Sequence, residues 1–176
     1  MSVANNICLV GPMGAGKSTI GKKLATRLGM AFIDCDDEIE ARTGTTISVI
    51  FDIEGETGFR DREEKILTEL LDLSDSIIAT GGGCVTRENN RALLHSANTV
   101  IYLSTDVQEQ LKRTSKSRHR PLLDTPDRES RLVEMANIRD PLYAEVATIT
   151  IHSQGRKATT VVQEIIDQLD HENANR

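Results

Sequence analysis

The chain has 176 residues, of which 38% are hydrophobic and 27% charged, values that suit one globular domain (1–176) and leave too little chain for two. Its net charge of −6 argues against a general nucleic-acid-binding protein, and no apolar run approaches the ~18 residues that a membrane span needs. The cysteines Cys8, Cys35 and Cys84 lack metal-ligand spacing, so we expect reduced thiols in a cytoplasmic protein.

Short apolar runs without strong alternation predict five buried strands, at 7–10, 31–33, 76–79, 99–103 and 147–151. Helical spacing of apolar residues follows the first run, recurs at 66–71 and returns at 161–169, before a terminal HENANR that we expect to fray. Strands that alternate with helices predict an α/β fold, with a parallel sheet covered on both faces. The order of the strands does not follow from these patterns.

The stretch GPMGAGKS at 11–18 lies between the first predicted strand and the first predicted helix, and it completes the pattern G-x-x-x-x-G-K-[ST]. Its glycines allow successive N–H groups to converge on a polyphosphate, and the helix that follows adds its positive N-terminal end. Lys17 is expected to reach the β- and γ-phosphates, and the Ser18 hydroxyl to ligate Mg²⁺. Side chains at Gly14 or Gly16 would obstruct that approach. The pattern predicts a protein that binds a nucleoside triphosphate.

A GTPase switch is the first alternative to weigh against this prediction. The sequence DIEG at 52–55 fits D-x-x-G, but no predicted strand precedes it and the chain contains no N-K-x-D. A motor or a large ATPase would need a longer chain. The remaining class is a phosphotransferase that acts on a small molecule.

Acidic residues and glycines follow the second and third predicted strands. Asp34 and Asp36 lie at the carboxyl end of the second strand, where they would serve a metal and a hydroxyl acceptor or simply begin a helix. The third strand leads into TGGGC at 80–84, whose backbone would contact a ligand or form a tight turn. Because Thr80 stands where many nucleotide-binding strands end in aspartate, Asp34 is the expected source of negative charge for the metal.

Two regions interrupt the alternation of strands and helices. Residues 34–62 insert a charged helical segment, and the polar, basic residues 114–126 are expected to form a mobile loop. The cations at 112–120 form a solvated face, a nucleic-acid-binding face, or a lid that brings positive charge to the transferred phosphoryl group. The net negative charge of the chain favours a lid. Arg120 stands out in it, because Pro121 fixes the backbone that follows. Arg60 and Arg139 would bind a carboxylate bidentately or be ordinary surface arginines.

The motifs GPMGAGKSTIGKKLA, DCDDEIE, GETGFRDREE, ATGGGCV, RPLL and IRDPLYAEVA together resemble the shikimate kinase family, in order and across nearly the whole chain. The resemblance implies a three-layer, nucleoside-monophosphate-kinase-like α/β P-loop kinase fold. Its five-stranded parallel sheet would have the order 2-3-1-4-5, with a substrate-binding insert at 34–62 and a lid at 114–126. It also implies transfer of the γ-phosphoryl group of ATP to the 3-hydroxyl of shikimate.

The resemblance assigns a role to each motif. Lys17, Asp36 and Arg120 would be catalytic, and Ser18 and Asp34 would lie at Mg²⁺. Shikimate would be held by Asp36, Arg60, Gly82, Gly83 and Arg139. ATP would be held by Gly14, Ala15, Gly16, Lys17, Ser18, Thr19, Arg113 and Arg120. Arg113 would stack near the adenine, whose loop would lie around 155–157.

The expected partners are therefore ATP and shikimate, without nucleic acid or membrane, and the expected state is a monomer. A gluconate kinase or a nucleoside-monophosphate kinase is the nearest alternative, because gluconate is also a polyhydroxy acid. A nucleic-acid-binding module that uses the cations at 112–120 is the alternative from another class.

Overall fold

The structure is a computed structural model that describes residues 5–97, 99–116 and 120–174. Its strands are β1 (Ile7–Val10), β2 (Ala31–Asp34), β3 (Ser76–Ala79), β4 (Thr99–Ser104) and β5 (Ile149–His152). Its helices are α1 (Lys17–Leu28), α2 (Cys35–Thr43), α3 (Ile47–Leu71), α4 (Glu88–His95), α5 (Val107–Thr114), α6 (Arg128–Val146) and α7 (Ala158–Ala174). Short 3₁₀ turns span Cys84–Thr86 and Pro121–Leu123. The five predicted strands are confirmed, with small shifts at their ends.

All neighbouring strands pair in parallel, in the order β2-β3-β1-β4-β5, which confirms the predicted fold class and strand order. The chain leaves the central strand β1 for the edge strand β2, returns through β3 and crosses β1 to reach β4. The carboxyl ends of these strands meet at one edge of the sheet. A change of direction of this kind opens a crevice at that edge, where ligands of α/β sheets bind.

The core has two apolar clusters, one on each face of the sheet. Cys8, Val10 and Val100 point to one face, where α3, α4 and α6 cover them, and Leu9 and Ile101 point to the other, under α1 and α7. Successive strand residues alternate between faces, and most of them are apolar because helices cover both sides. The edge strand β5 is an exception, since its burial alternates between buried isoleucines and exposed polar residues.

The predicted insert at 34–62 corresponds to α2 and the first half of α3. Asp34 begins α2 as its N-cap, and Thr46 caps α3 by accepting a hydrogen bond from the backbone N–H of Val49. Gly55, with φ 70° and ψ −177°, breaks the helical conformation inside α3. The boundary at residue 62 therefore falls within a helix. The sequence DIEG at 52–55 lies in that helix, as expected for a chance match to a switch motif.

The carboxyl-terminal helix is longer than the sequence predicts. The last helix continues to Ala174, so the prediction of a frayed tail is wrong for residues 171–174. The tail extends a helix already anchored by Val161, Val162 and Ile165, and extending an existing helix is easier than starting one. The three cysteines are buried and unpaired. In the described part of the chain, no helix is long and apolar enough to span a membrane.

Candidate active site

The loop between β1 and α1 is shaped by its glycines. The φ angles of Gly11, Gly14 and Gly16 are 146°, 80° and 93°, which residues other than glycine rarely adopt. A Cβ on Gly11 would also overlap the carbonyl oxygen of Leu103 at the end of β4. Gly16 is the N-cap of α1 and provides no side-chain cap, so the first N–H groups of that helix are available to an anion.

Lys17 folds back over the same loop. Its Nζ donates hydrogen bonds to the carbonyl oxygens of Gly11 (2.7 Å) and Pro12 (3.0 Å). Burial lowers the pKa of Lys17 to about 8, and Asp36 opposes that shift while Arg120 adds to it. The ammonium group is thus poorly solvated and close to the loop backbone, where a phosphate would stabilise its charge.

Asp34 connects the loop to the second strand. Its Oδ1 accepts hydrogen bonds from the backbone N–H groups of Asp36 (3.0 Å) and Asp37 (3.4 Å), and its Oδ2 accepts one from the Ser18 hydroxyl at 2.5 Å. Asp34 is therefore a helix cap and also the partner of Ser18. The two sequence-based interpretations of this residue are compatible.

A first cleft, which we call the loop cleft, has a volume of about 790 Å³ including its open mouth. It is lined by Met13, Gly14, Gly16, Lys17, Ser18, Thr19, Asp34, Asp36, Thr80, Gly81, Gly82, Arg113 and Arg120. Ala15, the remaining residue predicted to bind ATP, lines an adjoining hollow with Thr19, Arg113, Ser153 and Arg156. The residues predicted to bind ATP are thus brought together.

Arg113 joins three segments around that hollow. Its guanidinium donates to the carbonyl oxygens of Gly14 (2.8 Å) and Ser153 (3.3 Å), and its Nε donates to Glu109 at 2.7 Å. The loop after β5 therefore lies beside the loop between β1 and α1, close to the predicted adenine segment at 155–157. The stacking of Arg113 on adenine stays a prediction.

A second cleft, which we call the arginine cleft, has a volume of about 760 Å³ including its mouth. It is lined by Met13, Asp36, Ile47, Phe51, Phe59, Arg60, Glu63, Gly81, Gly82, Gly83, Arg120, Pro121, Leu122 and Arg139. Asp36 and Arg120 line both clefts. A group bound in the loop cleft would therefore face a molecule bound in the arginine cleft across these two side chains.

Arg60 and Arg139 are not surface arginines, because only 5% and 7% of their areas are exposed. Arg60 donates to Glu63 at 2.6 Å and to Glu56 at 3.2 Å. Glu63 is 1% exposed, and burial is the main cause that raises its pKa. Burial is also the main cause of the shift at Arg139 on α6, where it lowers the pKa.

The glycine triplet after β3 packs against these side chains. A Cβ on Gly81 would overlap the Glu63 carboxylate, and a Cβ on Gly83 would overlap the Arg60 guanidinium. Gly82 lies between the clefts, and a Cβ added to it would lie 3.4 Å from the backbone nitrogen of Met13. The triplet admits a close approach, as predicted, but at Gly81 and Gly83 the approaching groups belong to the protein.

Asp36 is the carboxylate that lines both clefts, and its pKa is strongly shifted. Burial raises its pKa to about 7, with further raising by Asp34 and Glu63 and opposition from Lys17 and Arg60. Its Oδ1 is buried and has no hydrogen-bond partner among the described residues. A buried oxygen of this kind accepts a hydrogen bond from a ligand hydroxyl at little cost.

The predicted lid at 114–126 lies partly outside the described residues, since 117–119 are not covered. Arg120 precedes the 3₁₀ turn Pro121–Leu123, and burial lowers its pKa, with Asp36 opposing. Arg128 joins the two sides of this segment, because it donates to the carbonyl oxygens of Leu123 (3.2 Å) and Thr114 (3.4 Å). Closure of the segment stays a prediction.

A glycine-rich loop of the P-loop pattern on one side of Asp36 and buried arginines on the other define the class of this protein as a P-loop kinase. A sequence model of the family described as "Shikimate kinase" matches residues 13–170. The chain belongs to the shikimate kinase family.

Individual relatives agree with this assignment. A shikimate kinase of Thioalkalivibrio sulfidiphilus is 52% identical over 165 residues, which cover 94% of this chain and 87% of the relative. A solved shikimate kinase of Acinetobacter baumannii, in complex with shikimate, is 48% identical with a TM-score of 0.93, covering 97% of this chain and 94% of that one.

The gluconate kinase alternative has weaker support. A solved gluconokinase of Sinorhizobium meliloti has a TM-score of 0.63 at 19% identity, covering 99% of this chain and 97% of its own. Similarity at that level concerns the fold alone. The comparisons therefore favour the shikimate kinase family over the gluconate kinases.

Proposed function

We propose that the protein transfers the γ-phosphoryl group of ATP directly to the 3-hydroxyl of shikimate, giving shikimate 3-phosphate and ADP. The observation that carries this proposal is the meeting of the two clefts at Asp36 and Arg120. ATP would occupy the loop cleft and shikimate the arginine cleft. Direct transfer needs the donor and the acceptor to be neighbours, and this arrangement makes them so.

On the ATP side, backbone N–H groups of Gly14–Thr19 hold the phosphates, and Lys17 leaves the loop carbonyls to reach the β- and γ-phosphates. Arg120 neutralises charge on the transferred group, and Arg113 contacts the adenine. Phosphoryl transfer is catalysed mainly by positioning and neutralisation of charge, and a single arginine contributes a factor of about 10³–10⁵ in the best cases.

Ser18 and Asp34 would hold a divalent metal, which we propose to be Mg²⁺. A hydroxyl and a carboxylate 2.5 Å apart offer the hard oxygen ligands that this ion prefers. No group of three or more acidic, histidine or cysteine ligands occurs among the residues that the structure describes. This suits an ion that takes its other ligands from phosphates and water. When bound, the ion neutralises phosphate charge.

On the shikimate side, Arg60 and Arg139 bind the carboxylate, and the backbone at Gly82 and Gly83 contacts the ring substituents. Asp36 accepts a hydrogen bond from the attacking hydroxyl. The hydroxyl oxygen forms a bond to the γ-phosphorus while the bond to the β,γ-bridging oxygen breaks, and ADP leaves with that electron pair. The hydroxyl proton passes to Asp36, whose pKa of about 7 suits proton transfer near neutral pH.

The proposal is tested by measuring ADP release with shikimate, gluconate and AMP supplied separately. We expect turnover with shikimate at least about a hundredfold above that with the other two, because a site built for a polar group rejects molecules that leave it unpaired. Comparable or greater turnover with gluconate or AMP would contradict the proposal.

We further propose that the chain acts as a single-domain monomer in the cytoplasm. Both apolar clusters pack on one sheet, which supports a single domain. Three buried free thiols suit a reducing compartment. Light scattering should give a mass near 19.4 kDa, and a concentration-independent mass of twice that value would contradict the monomer.

A further inference from the structure

The Tyr143 hydroxyl lies where the glycine triplet meets Arg139. Tyr143 follows Arg139 by one turn of α6 and is 1% exposed. Its hydroxyl donates a hydrogen bond to the carbonyl oxygen of Gly82, and the Arg139 side chain lines the same small cavity as Tyr143 and interacts with it electrostatically. One phenol therefore lies against a backbone segment and a guanidinium that both line the arginine cleft.

Tyr143 itself does not line that cleft. It lies behind it, on a small cavity that it shares with Pro12, Met13, Gln110, Met135, Ala136, Arg139 and Asp140. Its ring stacks on Tyr102 with a centroid distance of 5.1 Å and an interplanar angle of 31°. The hydroxyl is thus held by a fixed ring, and Gly82 and Arg139 lie between it and the cleft.

A hydroxyl and a carboxylate would affect an arginine differently. Arg60 is held by Glu63, so part of its charge is already balanced inside the protein. No ion pair joins Arg139 to a carboxylate in the described part of the chain. Tyr143 is neutral, and burial raises its pKa, so the hydroxyl stays protonated. It can orient Arg139 and leave the positive charge for a ligand carboxylate.

We propose that Tyr143 is a positioning residue that fixes Arg139 relative to Gly82 and thereby sets the affinity for the acceptor carboxylate. This inference rests on the proposed function, because it assigns the carboxylate to Arg139. Loss of the hydroxyl leaves Arg139 without its orienting partner and Gly82 without its donor, while the ATP side of the site keeps its contacts.

The test compares Tyr143→Phe with the parent enzyme, and Tyr102→Phe is the matched control. Tyr102 is the neighbouring ring, and its hydroxyl forms no hydrogen bond with Arg139 or Gly82 among the residues that the structure describes. For Tyr143→Phe we expect the KM for shikimate to rise about tenfold, as for loss of a buried hydrogen-bonded hydroxyl, with the KM for ATP within about twofold. For Tyr102→Phe we expect both KM values to stay within about twofold.

A second variant at the same position tests the inference if Tyr143→Phe does not fold. 4-Fluorophenylalanine at position 143 keeps the ring and fills the place of the hydroxyl with an atom that cannot donate, so it should reproduce the selective rise. A normal shikimate KM in a folded variant, equal rises for both substrates, or the same rise in Tyr102→Phe would overturn the inference. Failure of the parent enzyme to use shikimate would instead overturn the proposed function.

Discussion

Replacement of Asp36 by asparagine is expected to stabilise the fold while it stops turnover. Burial, with Asp34 and Glu63 close by, raises the pKa of Asp36 from 3.8 to about 7. Its buried Oδ1 accepts no hydrogen bond from the described residues. The ionised carboxylate therefore lowers the stability of the folded state. The proposed mechanism nevertheless needs the ionised form, because Asp36 accepts the proton of the attacking hydroxyl.

The size and sign of the effect follow from proton linkage. Because the folded state holds the Asp36 proton more tightly than the unfolded chain does, stability falls as the pH rises from about 4 to about 7. A shift of about 3 pKa units, at about 1.4 kcal/mol per unit, corresponds to about 4 kcal/mol above pH 7. Asparagine is neutral throughout, so Asp36→Asn should gain up to about 4 kcal/mol of unfolding free energy near pH 8.5 and little near pH 4.

Urea unfolding followed by circular dichroism, without ligands, measures this difference at the two pH values. Asp37→Asn is the control: burial and Asp34 raise the pKa of Asp37 as well, but its side chain is exposed, so we expect a gain well below that of Asp36→Asn. A variant that is no more stable than the parent near pH 8.5, or equally stabilised at both pH values, would refute the electrostatic reasoning. In the same variant ATP binding should survive, and near-normal turnover would remove Asp36 from the mechanism.

Three further changes probe other parts of the site. Lys17, with a pKa of about 8, is mostly deprotonated near pH 9, and it should take up about 0.9 proton when ATP binds at that pH. Calorimetry in buffers of different ionisation enthalpy measures this uptake. Lys17→Arg should take up no proton, and equal uptake by the two proteins would assign the proton to another group. Arg120→Ala should lower kcat by about 10³ in steady-state assays, and a loss below about tenfold would exclude it from charge neutralisation. Gly83→Ala places a Cβ on the Arg60 guanidinium, which Glu63 holds, so the shikimate KM should rise about tenfold with the ATP KM unchanged. An unchanged shikimate KM in that variant would show that Arg60 can move without consequence.

The strands and the phosphate-binding loop could be predicted because their signals are local. A short apolar run predicts a buried strand, and the glycines of 11–18 match the positive φ angles found at Gly11, Gly14 and Gly16. Asp34 and Asp36 could be placed because parallel strands bring their carboxyl ends to one edge. The strand order had no local signal and followed from the family resemblance.

Sequence reasoning missed Glu63 and Tyr143, whose roles depend on contacts made by other elements. Each had one weak signal, its position three or four residues after a candidate arginine on a helix, where side chains share a face. Spacing alone does not tell whether that face is buried. The glycine triplet shows the same limit, since a need for space at Gly83 was predictable but its occupant, Arg60, was not.

Three perturbed groups of the site, Lys17, Asp36 and Arg139, share a property that relates stability to the proposed function. Burial lowers the pKa of Lys17 and of Arg139 and raises that of Asp36, so in each case the folded protein disfavours the charged form. A phosphate beside Lys17, a hydroxyl donating to Asp36 and a carboxylate on Arg139 would each favour that form again. The two proposed substrates bring these complementary groups. Binding of ATP and shikimate should therefore relieve an electrostatic cost that the unliganded fold carries at these three side chains, each of which has a role in the proposed transfer.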